Sequence, residues 1–261
     1  MTAVAELFSE LAEKSNSMTL HPKSLFRGQS DSGWGLATSF GRIACKRKLS
    51  RSQALQLERE AVNKFAVSAR TILPIELLAT LLPTDQGIDF LGWLPTMQHF
   101  SAPTRILDWS MSPWVALYFA CSENEDIDGV VWLADFGKIN QYWENRFEHQ
   151  KIKNVAVLMV DAHSEEMVVL MQTRSSNERI EAQQGRFMLC TNPLADHEQV
   201  LSKAGAGALT KIVVPKELKG PAMVKLNAMN VNARTLFAGA DGLGRSLNEY
   251  CKNWDASSII V

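Results

Sequence analysis

The sequence predicts an α+β fold: a single mixed domain with a small split antiparallel or mixed sheet flanked by helices. Three observations predict it. Short strand candidates and irregular helix candidates follow one another without a regular βαβ series. No glycine fingerprint of a doubly wound nucleotide fold follows a strand candidate. And 261 residues, 46% hydrophobic and 21% charged, suffice for one large core or a core with an appendage. The net charge of −1 gives no support to broad phosphate-backbone binding, though it leaves room for a local basic groove. The 4 cysteines are scattered and form no CxxC, which points away from a zinc knuckle or disulfide scaffold. The opening MTAVAELFSE lacks the basic and apolar regions of a secretion signal, so a cytoplasmic protein with reduced thiols is expected.

Taken in order, residues 1–15 read as a helix with Val4, Leu7, Phe8 and Leu11 on one stripe. Leu25-Phe26 ends a first strand candidate, which puts Arg27 and Gln29 near its mouth, and Gly28 permits a close approach to the backbone. The run containing Arg42, Lys46, Arg47, Lys48 and Arg51 reads as a solvated loop, with a nucleic-acid backbone or a dinucleotide phosphate as the sharper alternatives. Residues 53–70 have helical periodicity, with Leu57, Ala61, Phe65 and Ala69 on one face, and Pro74 starts a short helix over 75–82. Strands are expected at 129–136, 187–189 and 210–214; 154–161 and 166–172 are strands, or a strand and a helix. A helix is expected from Pro221 to residue 230, a turn over 236–244 and a last helix near 247–250. AGAGAL at 204–209 lacks the lysine of a phosphate loop, and Asp161, His163, Glu165 and Glu166 lack the HExxH arrangement of a metal site.

The organising stretch is 94–120, LPTMQHFSAPTRILDWSMSPWVALYFA. It reads as an irregular loop lining a pocket, closed by a buried helix that Ser112 caps and Pro113 starts. Arg105 and Asp108, three apart, can form a brace, while His99 is the residue expected to touch a ligand. Further on, NERIEAQQGRFML at 177–189 offers Glu181 to orient a ribose hydroxyl, and Gln183 and Gln184 for hydrogen-bond recognition.

Four segments together resemble the FRG-domain family: Phe26-Arg27-Gly28, MQHFSAPTRILDWSMSPWVALYFA at 97–120, RIEAQQGRF at 179–187 and TLFAGADGLG at 235–244. They occur in the family's order and span roughly residues 20–250, with Ala238 where a proline is expected. The resemblance implies an N-terminal helical extension over 1–20, an FRG-like domain over 21–250 and a tail over 251–261. The family's layout is similar in outline to ADP-ribosyltransferases, which implies an enzyme using NAD as substrate to modify a protein or nucleic-acid acceptor. In that reading Arg27 binds the pyrophosphate, His99 meets ribose or nicotinamide, and Glu181 stabilises the developing oxocarbenium. Gln29, Thr104, Arg105, Asp108, Gln183 and Gln184 complete the nucleotide site, with no metal. Glu181-Ala182-Gln183 partly matches the Glu-x-Glu pattern of such enzymes, and no Ser-Thr-Ser strand is evident. The resemblance also implies bacterial or phage-related proteins, toxin or phage-defence roles, and a regulatory protein partner. The alternatives are a nucleotide or nucleic-acid sensor without turnover, and a hydrolase or nuclease with His99 as base and Asp108 behind it.

Overall fold

Strand β1 (Ser24–Gln29) sends Leu25 into one core and Phe26 into another, so both faces of the sheet around it are covered. The computed structural model describes residues 2–15, 24–75, 78, 81, 90–150, 165–171 and 178–252. Helix α1 (Ala3–Ser15) precedes β1; α2 (Ser39–Lys46), α3 (Arg51–Ala69) and α4 (Phe90–His99) follow it. Then come β2 (Ile106–Ser110), α5 (Pro113–Cys121), β3 (Gly129–Asp135), α6 (Phe136–Gln150), β4 (Val168–Met171), α7 (Glu178–Ala182) and β5 (Gly185–Cys190). The chain continues with α8 (His197–Ser202), β6 (Leu209–Val214), α9 (Lys216–Ala228), α10 (Ala233–Leu236) and α11 (Gly239–Lys252).

The six strands form one open sheet in the order β4-β5-β2-β1-β3-β6, and every neighbouring pair is antiparallel. An α+β fold with an open antiparallel sheet and flanking helices is therefore what the chain adopts. The seam between β1 and β2 differs from the other pairings: these strands register only at Phe26 opposite Ser110, whereas β1 and β3 pair along the whole of β1. The sheet is consequently split at its middle. On one face Phe26, Val131, Leu133, Ile212 and Val214 pack under α1, α5 and α9. On the same face of the other half, Ile106, Phe187 and Leu189 pack under α3 and α4. Leu25, Leu107, Trp109, Trp132 and Met188 occupy the opposite face with α6 and α8.

Helix α5 forms as its sequence dictates. Ser112 Oγ accepts from Val115 N, Pro113 takes the first turn, and Val115 to Tyr118, Ala120 and Cys121 are buried. Elsewhere the structure corrects the expectations. Residues 94–99 end a helix that tolerates Pro95, and residues 106–110 are a strand, so only the connections of the 94–120 stretch are irregular. The basic run is not one loop: Arg42 and Lys46 lie on α2, which Thr38 caps, and Arg51 starts α3 through a Ser50–Gln53 capping box. Helix α3 buries Ala54, Leu55, Glu58, Val62 and Ala66, a face rotated from the expected stripe, of which Ala69 alone is buried. Helix α9 begins at Lys216 with Pro221 inside it, and residues 239–244 belong to α11 rather than a turn. Most of the helix expected over 75–82, the strand or helix expected over 154–161 and the cluster's Asp161 and His163 lie outside the described residues.

Candidate functional site

Where the β1–β2 ladder stops, Arg27 takes over. Its Nη1 donates to the backbone oxygen of Asp108 at 2.7 Å, in the gap where strand pairing would have continued. Its Nε is buried and has no hydrogen-bond partner among the described residues. Burial first, then Arg42, hold the guanidinium below its ordinary pKa, against the opposing pull of Asp108. Arg42 reaches the same place from α2 and is itself anchored to a backbone oxygen, that of Ala37, at 2.8 Å.

These two arginines line a cleft of about 770 Å³. Its walls come from β1 (Gly28, Gln29), the following loop (Trp34), α5 (Tyr118, Phe119), Phe237 and α11 (Arg245, Glu249, Lys252). Gln29 is fixed on both sides: its Oε1 accepts from Trp132 Nε1 at 2.6 Å, and its Nε2 donates to Gly35 O at 3.1 Å. Tyr118 donates its hydroxyl to Glu249, and burial together with that carboxylate pushes its pKa above the usual tyrosine value. Arg179 and Arg245 both lie over the ring of Phe237, at 4.9 and 4.3 Å from its centroid. Arg27, Gly28 and Phe119 also line an adjoining hollow of about 200 Å³ with Asp108, Ser110, Arg179 and Gln183. There Ser110 Oγ donates to Gln183 O at 2.7 Å, joining the end of β2 to the turn before β5. Gln183 Nε2 donates to Leu236 O at 3.0 Å.

Arg27 and Gln29 line the cleft, and Asp108 and Gln183 line the adjoining hollow, which shares Arg27 with it. Arg105 and Thr104 have other work. The expected Arg105–Asp108 brace does not form: Asp108 is exposed on β2, whereas Arg105 is buried and pairs bidentately with Glu58 of α3, Nη2 to Oε2 at 2.7 Å and Nε to Oε1 at 2.9 Å. Its Nη1 also donates to Thr191 O at 3.0 Å, so Arg105 ties α3 to the end of β5. Thr104 is buried; its backbone N donates to Ser39 Oγ, and its hydroxyl bonds Gln98. His99 ends α4 exposed; partial burial and then Arg179 lower its pKa, against Asp241. Glu181 and Gln184 are exposed around the α7–β5 turn, with Gln184 at a positive φ of 48°. His99, Glu181 and Gln184 are not among the residues lining the cleft or the hollow. Gly28 does permit a close approach, but of helix α5: an added Cβ would lie 1.8 Å from Ala116 O.

Several lining residues escaped the sequence reading: Ser110, Tyr118, Phe237, Arg245 and Glu249. Arg42 was named there only within the basic run read as a solvated loop; the others had no local signal, and partners 73 and 131 residues away fix Ser110 and Tyr118. No group of His, Cys, Asp and Glu among the described residues could hold a metal ion, and none of the described helices is long and apolar enough to cross a membrane.

An antiparallel α+β protein with a cationic, aromatic-walled cleft at a split in its sheet is the class these features define. Residues 22–129, which carry β1, α2, β2 and α5, match the FRG domain family. No curated protein and no solved structure matches the chain.

Proposed function

We propose that the cleft binds NAD and that the protein transfers its ADP-ribose, as an ADP-ribosyltransferase-like enzyme. The observation that carries this reading is the Arg27–Arg42 pair. Each side chain is anchored to a backbone oxygen rather than to a carboxylate, and each faces the same cleft. Two guanidiniums so placed retain charge for a ligand with adjacent phosphates, which they meet bidentately. Phe119 and Phe237 supply flat apolar surfaces for the rings at either end of a dinucleotide. The split sheet supports the same reading, because it lets β1, β2 and the turn before β5 present Arg27, Ser110 and Gln183 to one space.

The chemistry is a substitution at the ribose carbon that carries nicotinamide. The C–N bond breaks with its electron pair leaving on the nicotinamide nitrogen. A nucleophilic oxygen or nitrogen of the acceptor forms the new bond and gives up its proton. Catalysis of such a step rests on positioning and on electrostatic stabilisation of the ribosyl cation. Glu249 and Glu123 are the carboxylates on the cleft wall available for that task.

One observation favours a second reading, nucleotide binding without turnover. The residue presented just before β5 is Gln183, a neutral amide that carries no charge for a ribosyl cation and has one of its two amide hydrogens committed to Leu236 O. The two readings part in one experiment. Calorimetric titration with NAD, followed by assay for released nicotinamide, is expected to give saturable binding and product in the unsubstituted protein, with binding weakened at least about tenfold by Arg27→Ala. Saturable binding without nicotinamide release decides for the sensor. Absence of binding refutes both.

A further inference from the structure

A second concavity adjoins the cleft and shares Arg42 with it. It is a shallow groove of about 360 Å³ lined by Ser39, Arg42, Ile43, Lys46, Ser101 and Pro103. No carboxylate among the described residues lines it. Arg42 and Lys46 are four apart on α2, so they share a helix face about 6 Å apart along the axis. Arg47 and Lys48 continue the charge beyond the helix, and all four cations are exposed. None of the described ion pairs involves any of them.

A structural explanation covers part of this. A cation in the last turn of a helix is favoured by the helix dipole, which accounts for Lys46. It does not account for Arg42, which faces the cleft from the first turn, or for two further cations past the helix end. We propose that the groove holds a single-stranded nucleic acid, whose phosphates run along Arg42, Lys46 and Arg47 and whose target nucleotide enters the deep cleft as the acceptor of ADP-ribose. The axial spacing of Arg42 and Lys46 is close to one nucleotide step. The Ser101 hydroxyl suits a phosphate oxygen, and Ile43 and Pro103 suit the sugar faces beside it. Trp34, 49% exposed at the mouth of the cleft, provides a surface on which an unpaired base stacks. A single strand is specified because a base inside a duplex cannot enter the cleft without leaving the stack. The groove also reconciles the near-neutral chain with phosphate binding, since the positive charge is local.

The word acceptor rests on the NAD reading of the cleft; strand binding rests on the groove alone. Fluorescence anisotropy with labelled single-stranded DNA and RNA of about 12 nucleotides tests the groove. Saturable binding is expected, weakened at least about tenfold by Lys46→Glu/Arg47→Glu/Lys48→Glu, with a salt dependence shallower by about 2 in log–log slope. If that variant does not fold, Lys46→Glu alone is expected to flatten the slope by about 0.7. No saturable binding, or binding indifferent to these substitutions, overturns the proposal. So does stronger displacement by polyglutamate than by an unlabelled strand, which assigns the groove to an acidic protein segment. Titration of NAD alone into the unsubstituted protein separates the two readings. NAD binding without strand binding overturns the groove and leaves the cleft standing; strand binding without NAD binding does the reverse.

Discussion

His197 begins α8 with its imidazole fully buried, and neither ring nitrogen has a hydrogen-bond partner among the described residues. Burial, then the charge of Arg27, push its pKa down to about 3. The folded chain therefore keeps His197 neutral where the unfolded chain takes up a proton near the ordinary histidine value. Its contribution to stability is present above about pH 6.5 and is lost as pH falls from there towards 3, a loss of about 2 kcal/mol at pH 5. Denaturant unfolding at pH 7 and pH 5 is expected to show that His197→Leu removes about 2 kcal/mol of the difference between the two conditions. An unchanged difference would count against the buried neutral imidazole. Residues of this kind were the least legible in the sequence. The spacing of Arg105 and Asp108 suggested a pair, yet Glu58, 47 positions earlier, takes Arg105. Burial decides such pairings. Arg105 and Glu58 are both removed from water and so must satisfy each other, while Asp108 is exposed and has no such need.

At the scale of elements, the packing of α5 on the sheet depends on two glycines. A Cβ on Gly28 would lie 1.8 Å from Ala116 O and 2.8 Å from Ala120 N; one on Gly129 would lie 2.3 Å from Ala120 O. These are backbone atoms, which cannot rotate away, so relief requires α5 to lift off β1 and β3. Gly28→Ala is expected to cost about 3 kcal/mol or more, read by denaturant unfolding. Gly244 supplies the contrast: it lies in α11 with nothing within 4 Å of a built Cβ, so Gly244→Ala is expected to stabilise by about 0.5–1 kcal/mol. A small cost at Gly28 would mean that α5 does not sit against the strand. Helix α5 was legible because its cap, its proline and its apolar run are all local. Strand β2 was not, because Ile106 and Leu107 are both buried, one on each face of a sheet covered on both sides, and alternation disappears. Helix α4 was hidden by Pro95, which lies inside a helix that packs its neighbours Trp93, Leu94 and Met97 into a core.

Over the whole molecule, one face of the sheet is covered in two parts, α5 with its neighbours over β1, β3 and β6, and α3 with α4 over the β2 side; the cleft opens beside the first part, lined by β1, α5 and α11. Helix α11 stands at the cleft with its polarity turned inwards. Arg245, Glu249 and Lys252 line the cleft, while Leu243, Leu247 and Tyr250 are exposed. That inversion, with three glycines in its first six residues, is why the stretch reads as a turn when taken alone. Gly242 is needed there for another reason: its Cβ would lie 2.1 Å from Phe237 O, so the glycine lets α11 return close over α10. With Gly242 the only buried residue of α11, polar and cation–π contacts must hold much of the helix. Tyr118 bonds Glu249, Lys252 pairs with Glu125 at 3.2 Å, and Arg245 covers Phe237. Lys252–Glu125 is exposed and adds little, whereas the Tyr118–Glu249 bond is partly buried and charge-assisted. Tyr118→Phe keeps the ring in its core and removes that bond alone. Hydrogen exchange is then expected to speed up at least about tenfold across the amides of α11 and to stay unchanged in β3 and β6. If α11 exchanges at the same rate in both proteins, the hydroxyl does not hold it at the cleft; if β3 and β6 also accelerate, the substitution has loosened the core itself.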